Sequence, residues 1–199
     1  MQRVNDVAGL LLAAGEGSRL GEPKALVELG GTRLVDRGVR TLHEAGCHPV
    51  VVVLGAADAQ VPGAVVVHNP AWRTGMGSSF RLGLATLPGH VTAVVIALVD
   101  QPLVGPEAVR RLIGSGAEVA VATYGGKRRN PVLLAREHWA KAAELAEGDV
   151  GARPFLRANP ALVTEVACDD VASPADIDTR EDLATLRTLL RHPRPDATA

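Results

Sequence analysis

Aromatic side chains are scarce in this sequence. Its 199 residues include two tryptophans, one tyrosine and two phenylalanines, together 3% of the chain. Proteins that bind single-stranded nucleic acid stack the bases on aromatic rings, so this composition argues against such a platform. The formal net charge is -1. Proteins that bind nucleic acid through its phosphates carry a large basic excess, so this charge balance argues against that class of protein.

Cysteines and long apolar runs are also sparse. The two cysteines, Cys47 and Cys168, are far apart and in no metal-binding spacing, which excludes a disulfide framework and fits a reducing compartment. The first apolar run, residues 7–14, is shorter than the about 20 residues that cross a membrane. The charged stretch at 16–24 follows it too closely for a signal peptide. We therefore expect a cytoplasmic protein that has neither a membrane nor nucleic acid as its partner.

Short apolar runs alternate with amphipathic segments along the chain. Most of the runs are continuous, as strands covered on both faces should be. The predicted strands are residues 7–13, 50–54, 64–67, 91–99, 119–122, 131–134 and 161–166. The predicted helices are residues 33–45, 78–86, 106–113, 136–146 and 181–191. This alternation predicts one α/β domain over residues 1–191, a three-layer αβα sandwich with a mostly parallel, Rossmann-like sheet, followed by a disordered tail at 192–199.

A glycine-rich loop, AGEGSRLGEPK at residues 14–24, follows the first strand. Open α/β sheets bind ligands at the carboxyl ends of their strands, and glycines let backbone N–H groups approach and cradle an anion. Two common phosphate-binding patterns do not fit this loop. Leu20 replaces the third glycine of the dinucleotide fingerprint, and Glu22 stands where a Walker A loop needs its second glycine.

The loop instead fits the nucleotidyltransferase pattern L-x-A-G-x-G-x-R-x-G-x-P-K in full. The matching residues are Leu12, Ala14, Gly15, Gly17, Arg19, Gly21, Pro23 and Lys24. On this loop the chain resembles the nucleotidyltransferases of the nucleotide-diphospho-sugar transferase fold and, more narrowly, the molybdenum cofactor cytidylyltransferases. The resemblance runs from residue 7 to residue 190 and implies that residues 15–19 wrap a triphosphate and that Lys24 touches its phosphates. A surface turn that is basic by chance is the alternative.

Two aspartates far apart in the sequence are candidate metal ligands. Asp100 directly follows the longest apolar run, which places it on the ligand edge of the sheet. Asp178 lies in the segment DIDTREDL, where capping of the last helix is the alternative. The resemblance implies that both bind Mg²⁺, or Mn²⁺ in its place, and Mg²⁺ needs only one or two carboxylates beside phosphates and water. We assign the role to Asp178 rather than Asp176, expecting Ile177 to send their side chains to different sides.

The segment NPAWRTGMGSS, residues 69–79, precedes a predicted helix. We expect Ser78 or Ser79 to cap this helix, whose N-terminus would then face an anion or a base edge; capping alone is the alternative. The similar segment of the cytidylyltransferases lies beside the nucleotide. The residues expected to contact the nucleotide are Leu12, Ala13, Ala14, Gly15, Gly17, Ser18, Arg19, Lys24, Asn69, Gly77, Ser78, Ser79 and Asp100.

Two further segments are predicted to bind the second substrate. The chain reads Arg129-Asn130-Pro131 where the resembling family typically has Gly-His-Pro, and the additional arginine suits an acidic or phosphorylated acceptor. A solvated hairpin tip is the alternative there. In GDVGAR, residues 148–153, we expect Arg153 to hold the acceptor's phosphate and Asp149 to hydrogen-bond the acceptor or orient the arginine. A loop that begins a helix is the alternative here.

The predicted reaction is transfer of a nucleoside monophosphate, with release of pyrophosphate and with Arg19, Lys24 and Asp100 as catalytic residues. Ala13-Ala14-Gly15 resembles the cytidine-using relatives, whereas the guanosine-using ones tend to have glycine in place of Ala14. The resemblance therefore implies CTP, and we expect the Ala14 methyl group to narrow the base site in favour of a pyrimidine. The resemblance implies molybdopterin as acceptor and a molybdenum hydroxylase or its maturation factor as protein partner. Three alternatives stay open: a cytidylyl- or guanylyltransferase for another small phosphorylated metabolite, a non-catalytic chaperone of the molybdenum cofactor, and an NAD-dependent dehydrogenase.

Overall fold

The computed structural model describes residues 6–191, with side chains described to residue 188. The predicted tail at 192–199 lies outside these residues. In chain order the strands are β1 Val7–Ala13, β2 Glu28–Leu29, β3 Thr32–Arg33, β4 Val50–Leu54, β5 Val65–His68, β6 Ala93–Leu98, β7 Val119–Tyr124, β8 Lys127–Ala135 and β9 Val163–Ala167. The α-helices are α1 Leu34–Glu44, α2 Met76–Thr86, α3 Pro106–Gly114, α4 Trp139–Leu145, α5 Arg153–Ala158 and α6 Arg180–Arg191.

Seven of the strands form one sheet in the order β5-β4-β1-β6-β8-β7-β9. β1, β4, β5 and β6 run parallel to one another, and β9 runs parallel to β7. Only β8 runs against its two neighbours in this sheet, because Gly125 and Gly126, at φ 55° and 70°, turn the chain back in a tight hairpin. The prediction of a mostly parallel α/β sandwich is therefore confirmed.

Apolar side chains cover both faces of the sheet. Leu11 of β1 belongs to a cluster with α1, α3 and α6, whereas Leu10 and Leu12 belong to a second cluster with α2, α4 and α5. All seven residues of β1 are buried, and each leucine removed from water in this way contributes about 2 kcal/mol. The sheet, with one group of helices packed on each face through these clusters, forms the three predicted layers.

Several element boundaries differ from the predictions. The strand predicted at 131–134 extends over Lys127–Ala135, and the helix predicted at 136–146 is a short 3-10 turn followed by α4. Helix α5 was not predicted, because six residues are too few to show a helical period. Within residues 6–191, no helix is long and apolar enough to cross a membrane.

Candidate active site

The glycine-rich loop leaves the carboxyl end of β1, in the middle of the sheet. Leu20 N and Gly21 N donate hydrogen bonds to Gly17 O at 2.8 and 2.9 Å, which closes the loop. Gly17 has φ +62°, and a Cβ there would lie 2.1 Å from Glu22 O, so only glycine fits. At Gly15, by contrast, a Cβ would have no heavy atom within 4 Å. The loop is therefore closed at one glycine and open to a ligand at the other.

Lys24 lies between the two predicted metal ligands. Its Nζ donates to Asp100 Oδ2 at 2.7 Å and to Asp178 Oδ1 at 2.5 Å, and the Arg19 guanidinium lies 3.4 Å from Asp178 Oδ2. Burial lowers the pKa of Lys24, but the charges and hydrogen bonds of the two carboxylates outweigh burial and raise this pKa above its ordinary value. The hydrogen bond from Lys24 is the main reason that the pKa of Asp178 is lowered.

The carboxylates of Asp100 and Asp178 fit a divalent cation. One oxygen of each converges on the same ammonium nitrogen, and Asp100 Oδ1 is buried without a hydrogen-bond partner among the residues the structure describes. Carboxylate oxygens are the ligands that Mg²⁺ prefers, and Mg²⁺ completes its shell with water and substrate phosphates. Asp100 and Asp178 are thus the residues that would hold such an ion.

The position of Asp176 relative to Asp178 differs from the prediction. Asp176 lines the same cavity as Asp178 and accepts a hydrogen bond from Gln101 Nε2 at 2.8 Å. The expectation that Ile177 separates the two side chains is wrong, because residues two apart in an extended chain point to the same side, and Ile177 itself is buried. Burial is the main cause that raises the pKa of Asp176.

Thr179 caps helix α6, so the carboxylate of Asp178 is not needed as the cap and bonds to Lys24 instead. Thr179 Oγ1 accepts a hydrogen bond from Asp182 N at 3.2 Å, and Asp182 Oδ2 accepts one from Thr179 N at 2.8 Å. This reciprocal pair is a capping box with aspartate in the acidic position.

Two cavities meet at these carboxylates. The first has about 710 Å³ and lies between the glycine-rich loop and the turn at 72–76. The second has about 430 Å³ and lies between β8 and the segment 149–157. Both are lined by Leu12, Met76, Leu98, Asp100, Asp149 and Asp178. Two ligands, one in each cavity, would therefore meet at Asp100 and Asp178.

The structure brings together many, but not all, of the predicted site residues. The first cavity is lined by the predicted nucleotide residues Leu12, Ala14, Gly15, Arg19, Lys24, Ser79 and Asp100. The second is lined by the predicted acceptor residues Arg129, Asn130, Asp149 and Arg153. Neither cavity is lined by Ala13, Gly17, Ser18, Asn69, Gly77, Ser78 or Pro131.

Three of these remaining residues lie outside the two cavities. Asn69 is buried, and its Nδ2 donates to the hydroxyls of Ser78 and Ser79 at 2.8 and 2.9 Å. Ala13 belongs to the core, and Pro131 faces a small cavity of about 20 Å³ under the sheet edge. These residues contact other parts of the protein and line neither of the two cavities.

The N-terminus of α2 differs from the prediction. The helix begins at Met76 after Gly75, and no serine caps it. Met76 N donates to Asp149 Oδ1 at 3.3 Å and Gly77 N donates to Gly148 O at 2.9 Å. The expectation that serine caps this helix is wrong, because the helix begins at Met76, two residues before Ser78, and the neighbouring loop bonds to its first two amides.

Several cavity residues were not predicted. Arg128 and Arg157 line the second cavity beside Arg129 and Arg153, and Arg128 also pairs with Glu165 at 2.7 Å. Arg157 follows Arg153 by one helical turn, a spacing that places both on one face of a helix. This spacing is present in the sequence, but it indicates a shared helix face only once residues 153–158 are known to form α5.

Comparison with known proteins identifies the family. The MobA-like NTP transferase domain matches residues 9–164, a range that includes the glycine-rich loop and Asp100. The chain belongs to the MobA-like NTP transferase family. The resemblance based on the glycine-rich loop is thereby confirmed at the level of the family, and membership supports nucleotidyltransferase activity for this chain.

Relatives similar in sequence are named for different reactions. The nicotine blue oxidoreductase of Paenarthrobacter nicotinovorans is 38% identical over 197 residues, which cover 90% of this chain and 96% of that protein. The 2-C-methyl-D-erythritol 4-phosphate cytidylyltransferase of Rhodococcus opacus is 36% identical over 54% of this chain and 50% of its own length. A probable molybdenum cofactor guanylyltransferase of Opitutus terrae is 51% identical, but over 24% of this chain and 23% of its own.

Solved structures share the fold over more than nine-tenths of the chain. Rv0371c from Mycobacterium tuberculosis is 29% identical with a TM-score of 0.81 and covers 93% of this chain and 99% of that one. The complex of the same protein with manganese is 28% identical with a TM-score of 0.76, over 92% of this chain and 98% of that one.

Proposed function

We propose that the protein transfers CMP from CTP to the phosphate of molybdopterin and releases pyrophosphate. The observation that carries the proposal is the position of Lys24, Asp100 and Asp178 at the junction of the two cavities. A transfer reaction needs two substrates held in line at a point where charge is neutralised. We assign this activity to a single domain, residues 1–191.

The glycine-rich loop and its cations act on the nucleotide. Backbone N–H groups of residues 15–19 wrap the triphosphate, while Arg19 and Lys24 neutralise the charge of the departing pyrophosphate. Asp100 and Asp178 would hold Mg²⁺ or Mn²⁺, an ion that stabilises charge at a phosphoryl oxygen when it is bound. The complex of Rv0371c with manganese supports a divalent cation for a protein of this fold.

The second cavity suits an acceptor with an anionic group and an apolar body. Four arginines line it, namely Arg128, Arg129, Arg153 and Arg157, together with the apolar residues Ile96, Val121, Val132 and Leu156. Guanidinium groups bind phosphates through paired hydrogen bonds. A phosphate nucleophile is already anionic, so attack on the α-phosphorus needs no strong general base, and no covalent enzyme intermediate forms.

The proposal is tested by measuring pyrophosphate after incubation with each nucleoside triphosphate, Mg²⁺ and purified molybdenum cofactor. We expect release with CTP, and its loss in Asp100→Asn. Asp58→Asn is the matched control, because Asp58 is almost fully exposed, and it should keep the activity. Release that persists in Asp100→Asn, or none with any triphosphate, would contradict the proposal. Tight cofactor binding without pyrophosphate would indicate a chaperone instead.

A second candidate function is reduction of a small molecule by a nicotinamide cofactor. The observation that favours it is the 38% identity to nicotine blue oxidoreductase along nearly the whole chain. The departure of the loop from the dinucleotide fingerprint at Leu20 weighs against it. Consumption of NADH or NADPH in the presence of nicotine blue, with no pyrophosphate from any triphosphate, would establish this alternative.

A further inference from the structure

A short turn faces the glycine-rich loop across the first cavity. Residues Trp72–Thr74 form a 3-10 turn between β5 and α2, and all three line the cavity together with Ala14, Gly15 and Arg19. Trp72 is one of only two tryptophans in the chain. The function proposed above gives this wall of the cavity no part in the reaction.

Trp72 is held against the ends of two strands. A Cβ at Gly55, just after β4, would lie 2.6 Å from Cβ and Cγ of Trp72 and 2.8 Å from Ala14 O. Only glycine lets the tryptophan approach so closely. Gly75 N also donates to Trp72 O at 3.1 Å, so the turn is closed on its other side. The tryptophan is thus fixed beside Ala14, the residue expected to narrow the base site.

Arg73 lies on the ring of Trp72. Its guanidinium carbon is 4.3 Å from the centre of that ring, within the range of a cation–π contact. Arg73 is exposed and has no acidic partner among the residues the structure describes. A planar guanidinium stacks on flat π-systems, nucleic-acid bases included, so the guanidinium over the Trp72 ring can offer its other face to another flat group.

We propose that Arg73, supported by Trp72, is the platform on which the nucleobase of the substrate stacks. This inference rests on the proposed function, since it needs a nucleoside triphosphate in the first cavity. The cations expected to bind the phosphates, Arg19 and Lys24, cluster with Asp178, whereas Arg73 is absent from that cluster. Cavities of a few hundred Å³ accommodate small ligands, and this one has about 710 Å³.

The test separates the base from the phosphates. Calorimetry would measure the affinity for each nucleoside triphosphate and for inorganic tripolyphosphate, with Mg²⁺ present, in the wild type and in Arg73→Ala, Arg73→Lys and Trp72→Ala. We expect all three variants to bind the preferred triphosphate about tenfold or more weakly, as alanine substitution at stacking positions does. Affinity for tripolyphosphate should stay within about twofold, because its phosphates contact the opposite wall.

A control variant and the contrast between the two ligands distinguish stacking on the base from binding of the phosphates. Arg40→Ala is the matched control, an exposed arginine of α1 that lines neither the first nor the second cavity, and it should bind both ligands like the wild type. An equal loss for both ligands in Arg73→Ala, or full binding in Arg73→Lys, would assign Arg73 to the phosphates and overturn the platform. A wild type that binds no nucleoside triphosphate more tightly than tripolyphosphate would overturn it too. Arg73-dependent nucleotide binding without pyrophosphate release would contradict the proposed reaction and leave the platform standing.

Discussion

The two cavities share a pair of carboxylates but are built in different ways. The first lies between the glycine-rich loop and the turn at Trp72–Thr74, and backbone hydrogen bonds close both of these segments. The second is shaped by long side chains, with arginines from β8 and α5 around apolar residues of the sheet. Backbone groups are held in place by the turn itself, whereas arginine side chains lose freedom when they bind. We therefore expect the first cavity to be the more rigid, and the second to adapt more easily to another ligand on substitution.

Lys24 should show the largest effect, because it belongs to the junction of both cavities. Lys24→Ala would remove the ammonium group that bonds to both Asp100 and Asp178. We expect pyrophosphate release to fall about 100-fold or more, the scale of losing one charge-stabilising donor at a reacting centre. Lys141→Ala removes a surface lysine that pairs with Glu144 on the same helix and should leave the rate unchanged. A loss below tenfold would remove Lys24 from the reaction.

The glycines of the loop test whether backbone shape governs the first cavity. Gly17→Ala meets Glu22 O and a positive φ, so we expect a loss of about 3 kcal/mol in the free energy of unfolding. Gly15→Ala meets nothing and should keep that stability while it weakens triphosphate binding, because its methyl group enters the cavity. Chemical denaturation and calorimetry on both variants measure the contrast. Equal stability of the two variants would contradict it.

Arg153 tests whether side chains govern the second cavity. Arg153→Ala should raise the KM for the acceptor about tenfold, as expected for one charge-assisted hydrogen bond, and leave the KM for CTP unchanged. Arg110→Ala, an exposed arginine of α3, is the control. Steady-state kinetics with each substrate varied in turn would measure this, and a rise in the KM for CTP instead would show that the two cavities do not act separately.

The smallest predicted effect concerns pH. The pKa of Asp178 is lowered by Lys24, so this contact stabilises the folded state above the ordinary aspartate pKa of about 4 and is lost as pH falls through the lowered value. The carboxylate is 40% exposed, so we expect less than about 1 kcal/mol. Denaturation curves should show that the stability gap between wild type and Asp178→Asn narrows below pH 4 or so. A gap that is constant with pH would contradict this origin.

The sequence was informative where chemistry depends on a continuous segment. The glycine-rich loop could be read directly, because a closed turn at Gly17 and an anion-binding backbone need particular residues at consecutive positions. Asp100 could be placed because it follows a buried strand. The same reasoning failed at α2, whose first amides bond to Gly148 and Asp149, since no local pattern announces a partner so far along the chain.

The sequence by itself determined the class of fold and the nature of the loop after β1, because hydrophobic period and backbone geometry are local properties. Only the tertiary structure decided which charges meet. Lys24 bonds to carboxylates 76 and 154 positions away, and Trp72 lies beside Gly55 and Ala14. Such contacts depend on strand order and register. The scarcity of aromatic residues, which argued against an extended stacking platform, is compatible with one tryptophan beside the loop, because a single fixed ring can support an arginine.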